Sequence, residues 1–117
     1  MRLRSTAVMV TILVVLFAGK VSAWDAESGN ELYELLSSNS PYSRFVAEGY
    51  ILGLIDTTHT LNRVWRLPVQ WTIPEKATKR QVFDAVTKYL KQNPEDRGET
   101  AYVLVNKALS KAFPPQK

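Results

Sequence analysis

The sequence has no cysteine, one histidine and five glycines in 117 residues, and these shortages close off several classes of function. Without cysteine there is no thiol nucleophile, no thiolate metal site and no disulfide. Small exported domains often add disulfides to a limited core. A chain of this kind has to be held by packing alone, or by packing plus self-association as a homodimer. The single histidine, His59, leaves no second imidazole for a histidine-based metal site. There is no Gly-rich phosphate loop either. No metal and no cofactor are expected.

Positive charge is scarcer than the whole chain suggests. The N-terminus reads as an export signal: MRLR is basic, Ser5 to Gly19 is uncharged and apolar, and Val21-Ser22-Ala23 puts small residues at the two positions a signal peptidase reads. The apolar run is shorter than the roughly 20 residues of a spanning helix, and no cysteine follows it to carry a lipid. Residues 1–23 are therefore expected to be a signal peptide, cleaved between Ala23 and Trp24, with one domain at 24–117. Of the 15 basic residues, Arg2, Arg4 and Lys20 leave with the signal, so 12 remain against 11 acids. A net charge near +1, with no basic tract, points away from nucleic acid. Nothing in the mature chain calls for a membrane.

The remaining pattern is helical. Ser28-Gly29-Asn30 opens a first helix with Leu32, Leu35 and Leu36 on one stripe, and SSNSP at 37–41 stops it. Phe45 to Leu61 is the longest apolar-rich run outside the N-terminus. Val46, Tyr50 and Leu54, flanked by Phe45, Leu52 and Ile55, suggest a wide buried face. Its N-cap falls at Ser43, with Asn39 and Ser40 in competition. Gly49 and Gly53 lie one turn apart within it. Each costs up to about 1 kcal/mol relative to alanine, which predicts that another backbone packs closely there, from this chain or a second protomer. Thr78 and Gln81 form a capping box ahead of Val82, Phe83, Val86, Tyr89 and Leu90, and Asn93-Pro94 ends that helix. A fourth helix starts near Glu99 and is closed by Pro114-Pro115. The expected fold is all-α: about four helices, with a proline-containing arm over 62–74 between the second and third.

Few residues could carry chemistry. Asp56 and His59 are three apart and could meet on one helix face, but no nucleophile is positioned beside them. They read as the point where the helix leaves the core. Acids at Glu31/Glu34 and Glu95/Asp96/Glu99 lie near helix starts, where they favour the helix dipole. The arm is richer: Arg63, Trp65, Arg66 and Trp71 fall within nine residues. Arginine and tryptophan dominate protein-binding hot spots, and a proline-stiffened loop loses less entropy on docking. These four residues are the expected partner contact. No catalytic residue is expected, and the chain reads as a binding protein.

GNELYELL at 29–36, EGYILGLIDTTH at 48–59, TIPEKATKRQVFDAVTKYLKQNPEDR at 72–97 and ALSKAFPP at 108–115 together resemble the Rap/Tai immunity proteins. The resemblance covers nearly the whole mature chain. It implies a small all-α periplasmic protein that binds and inhibits a peptidoglycan amidase effector delivered by a type VI secretion system. It also implies cysteines where this chain has Leu36, Ala47, Thr72 and Pro115, so one departure runs through all four positions. A periplasmic chaperone or envelope accessory protein on the same scaffold is the alternative.

Overall fold

A computed structural model describes residues 27–117, so the expected signal peptide and its cleavage point lie outside the described residues. Four helices follow in order: α1 (Gly29–Ser37), α2 (Pro41–Trp65), α3 (Lys79–Gln92) and α4 (Ala101–Ala112), with a 3-10 turn at Pro94–Asp96. The all-α bundle expected from the sequence is what forms. Among the described residues, no helix is long and apolar enough to cross a membrane.

The helix starts follow side-chain chemistry. Thr78 and Gln81 exchange side-chain and backbone hydrogen bonds at the start of α3, as TKRQ predicts. Ser28 and Glu31 form a second capping box at α1. At α2 the cap is Ser40, which accepts from Ser43 N–H at 3.4 Å. Pro41 then occupies the first helical position, where its missing N–H costs nothing. Ser43 is inside the helix.

The end of α2 also departs from expectation. The helix runs on through Trp65 and stops at Arg66, the left-handed C-cap with φ 55°. Pro68 disfavours helical backbone only at the residue before it. A helix already many turns long adds each further residue at little cost. Arg63 and Trp65 are thus helical, and the arm proper begins at Arg66.

The shortest helix is the hub. α1 packs on α2, α3 and α4, while α3 packs on α4. Its N-terminus is clipped to that of α4. Gly29 N–H and Asn30 N–H donate to Glu99 O and Arg97 O at 2.9 Å each, and Ala101 N–H donates to Glu27 O at 2.7 Å. Those N–H groups belong to first helical turns and have no partner within their own helices. Each helix start therefore satisfies the other. Gly29 makes the approach possible, because a Cβ there would run into Leu104 Cδ1 and sit 3.0 Å from Arg97 O. Arg97 also stacks on Tyr33, 4.3 Å from the ring centroid.

The expected burial of α2 needs correcting. Ala47, Ile51, Leu54 and Thr58 face the core, whereas Phe45 is 73% and Val46 42% exposed. Short Ala47, not Val46, is the residue fully buried in the core. Within this chain Gly49 and Gly53 meet no close neighbour, since a Cβ on either would meet nothing within 4 Å. No other described part of the chain comes close to them. The glycine that close packing needs is Gly29.

These positions separate in a urea melt. Gly29→Ala is expected to lose about 1–3 kcal/mol by overpacking. Gly49→Ala and Gly53→Ala are expected to leave the fold of a protomer intact or to stabilise it by about 0.5–1 kcal/mol.

Candidate partner-binding site

The arm and the end of α2 form one unit with two faces. Val69, Trp71 and Ile73 alternate along the arm and turn toward the core, the period of an extended backbone. Trp71 is 2% exposed and is the largest fully buried side chain described. Its indole Nε1–H donates to Asn106 Oδ1 at 2.9 Å, and Asn106 Nδ2 donates to Tyr102 O. The His59 ring covers it at 5.2 Å between centroids. Further along, Thr72 N–H donates to Phe113 O at 2.9 Å and ties the arm to the end of α4. Thr72, one of the positions where the resemblance implies cysteine, is thus bonded to a residue two before Pro115, another of them.

Of the four expected contact residues, the structure brings three together and sends the fourth inward. Arg63, Trp65 and Arg66 are exposed at the tip of α2, Trp65 by 71%. Val64 and Leu67, 60% and 50% exposed, add apolar surface beside them. Trp71 lies beneath the arm and reaches no partner without unpacking the core. Sequence composition treats the two tryptophans alike. Only the alternation of Val69, Trp71 and Ile73 carried the signal that separates them.

The tip is held in shape. Asn62 Nδ2 donates to Leu67 O at 2.6 Å, bridging the left-handed turn at Arg66. A non-glycine residue in that conformation costs roughly 1–2 kcal/mol, and glycine would avoid the cost. Beside the tip, a groove of about 630 Å³ runs between the arm and α4, lined by Pro68, Gln70, Val103 and Lys107 among others. The Glu99 carboxylate accepts hydrogen bonds from Lys107 Nζ at 3.0–3.1 Å and raises that lysine above its ordinary pKa.

Among the described residues, no catalytic constellation assembles around Asp56 and His59. Both are exposed, and His59 packs its ring on Trp71. On α2 and its neighbours the geometry offers a protruding aromatic flanked by two guanidinium groups.

A family model describing Rap1a immunity proteins matches residues 28–115, three-quarters of the chain. The chain belongs to the Rap1a immunity protein family. Comparison with curated proteins gives no match. The family match spans α1 through α4, so in this Rap1a-family chain the exposed Trp65 lies within the matched region.

Stability should follow burial. Trp71→Ala is expected to cost about 3–5 kcal/mol. Asn106→Ala, which strands the indole N–H, is expected to cost about 1–3 kcal/mol. Trp65→Ala should stay within about 0.5 kcal/mol of the parent. Chemical denaturation of the three variants checks the order.

Proposed function

We propose that this chain is an exported immunity protein that binds a peptidoglycan amidase effector of a type VI secretion system in the periplasm and inhibits it by occupying its cleft. It acts by binding and performs no chemistry of its own. Membership of the Rap1a family supports the immunity role. The observation that carries the contact site is Trp65, left 71% exposed at the end of a 25-residue helix.

Solvent exposure of a tryptophan of this size forfeits burial of the order of a few kcal/mol, which docking in an apolar slot would recover. Arg63 and Arg66 select a cleft whose rim offers carboxylates or carbonyls, which a planar guanidinium can engage in bidentate fashion. The left-handed backbone at Arg66 fits the same reading. Its cost is retained together with a side chain that has no hydrogen-bond partner among the described residues, as is common where a residue serves a partner. Because Asn62 already holds the turn, little ordering remains to be done on binding.

The test is inhibition of the purified amidase encoded beside this chain's gene, measured on peptidoglycan. Stoichiometric inhibition is expected, and no inhibition at a large excess overturns the reading. Trp65→Ala should weaken binding by at least about 2 kcal/mol, or roughly thirtyfold. Arg66→Gly keeps the left-handed turn and removes only the guanidinium. It should weaken binding while leaving stability equal or higher; unchanged affinity in both variants places the contact elsewhere.

A further inference from the structure

α1 covers part of the α3–α4 pair. Where neither α1 nor α2 reaches, an open groove of about 470 Å³ runs between the same two helices. Its floor is apolar. Ala108 is buried, and Ala85, Tyr89 and Phe113 are half-buried, so small alanines lie between two aromatic rings. Along α3 the lining extends from Gln81 to Gln92, about 16 Å at the helical rise. Past Gln81 and Phe113 the groove adjoins a second hollow of about 300 Å³ beside Pro74 and Ala77. The volume of the main groove falls within the roughly 300–1,000 Å³ of small-molecule clefts, which join apolar walls to a few placed polar groups.

The charged groups stand at the rim. Lys88 comes from α3 and Lys111 from α4, and both are exposed. Among the described residues neither takes part in a salt bridge, whereas Lys107 is held by Glu99. Asp84 is the one acid of the lining, set against two cations. Charge therefore favours an anion. The floor decides what else the ligand must be. Within α3 and α4 the backbone N–H and C=O groups are taken up by the helices' own hydrogen bonds. An extended peptide laid in the groove would leave its own backbone unpaired over alanine, which is costly. A helix, about 10–12 Å across with its side chains, would ride on the lysine rims without reaching Ala108. A hydrocarbon chain is thin and has no polar group to satisfy. We propose that the α3–α4 groove binds a single-chain anionic amphiphile, a medium-chain fatty acid, with its alkyl chain along Ala85, Ala108 and Phe113 and its carboxylate between Lys88 and Lys111.

The two parts of the site do different work. Covering the alanine floor and the Phe113 ring removes apolar surface from water on both sides, which supplies the affinity. The lysines supply the choice of sign, and their long stems let the charge stay at the rim while apolar atoms face the chain. Because both amino groups are exposed, that choice weakens as salt is added. The groove shares no residue with the Trp65 tip or with α2. This inference stands apart from the effector reading, and its test involves no amidase.

The probe is sodium decanoate, titrated into the isotope-labelled protein at about pH 7, where the carboxylate is ionised, and followed by amide NMR. Saturable one-to-one binding with a Kd below about 1 mM is expected, with the largest shifts at Ala85, Lys88, Ala112 and Phe113. Decyltrimethylammonium, an equal chain with the opposite charge, should bind at least about tenfold more weakly. Lys88→Gln combined with Lys111→Gln should weaken decanoate by at least about tenfold, and Asp84→Asn should tighten it. Ala85→Leu fills the floor and should keep its helical circular dichroism while weakening decanoate by a similar factor. Failure to saturate overturns the proposal, as do shifts centred on α2 or the tip. Equal affinity for the cationic chain overturns it too, and so does unchanged affinity in the double lysine variant or in Ala85→Leu.

Discussion

The seating of Trp71 under the arm holds this molecule's working parts in relation to one another. Its ring joins three segments that the helical core alone does not join firmly: the arm that carries it, α4 through Asn106, and the last third of α2 through His59. A 25-residue helix anchored only by its N-terminal half would leave its end unsupported. With Trp71 buried and its N–H satisfied, the chain leaving α2 must turn back at Arg66 and lie along α4. The exposed tip is a consequence of that return.

α2 therefore serves two purposes at once, and its faces show it. Ala47, Ile51, Leu54 and Thr58 dock on the bundle. Threonine is tolerated at that depth because Thr58 Oγ1–H donates to Leu54 O at 2.8 Å within the same helix. Elsewhere on its surface Gly49 and Gly53 are exposed. At the end stands the Arg–Trp–Arg tip. A chain without disulfides has to find its stability in such contacts, and the clip between the starts of α1 and α4 supplies one of them by pairing N–H groups that would otherwise be orphaned. The family's fold is thus kept while Leu36, Ala47, Thr72 and Pro115 stand where the resemblance implied cysteines. Ala47 is wholly buried and the Thr72 backbone is bonded to Phe113.

Much of the fold was legible because it rests on local chemistry. Capping boxes, proline stops and three-to-four-residue spacing act over one or two turns, so they can be read from neighbouring residues. The errors came where distance matters. Leu61 looked like the end of α2 because Pro68 lies just beyond, yet a propagating helix yields to proline only at the adjacent residue. Gly49 and Gly53 suggested close packing because they sit in the longest apolar-rich run outside the N-terminus, yet within this chain a Cβ on either would meet nothing within 4 Å. Gly29, at a helix start where glycine is common, gave no such hint, and its crowding depends on Leu104, 75 residues away.

The candidate site divides along the same line. Residue types by themselves determined that this is an all-α chain with an arginine- and tryptophan-rich segment after its longest mature helix, and that its motifs belong with immunity proteins. Only the tertiary structure decided which tryptophan works inside and which outside. Trp65 and Trp71 have equal hydrophobicity and similar neighbours in sequence. What separates them is the partner each finds: an asparagine on a distant helix satisfies the Trp71 indole and makes its burial favourable, while the described residues leave Trp65 71% exposed.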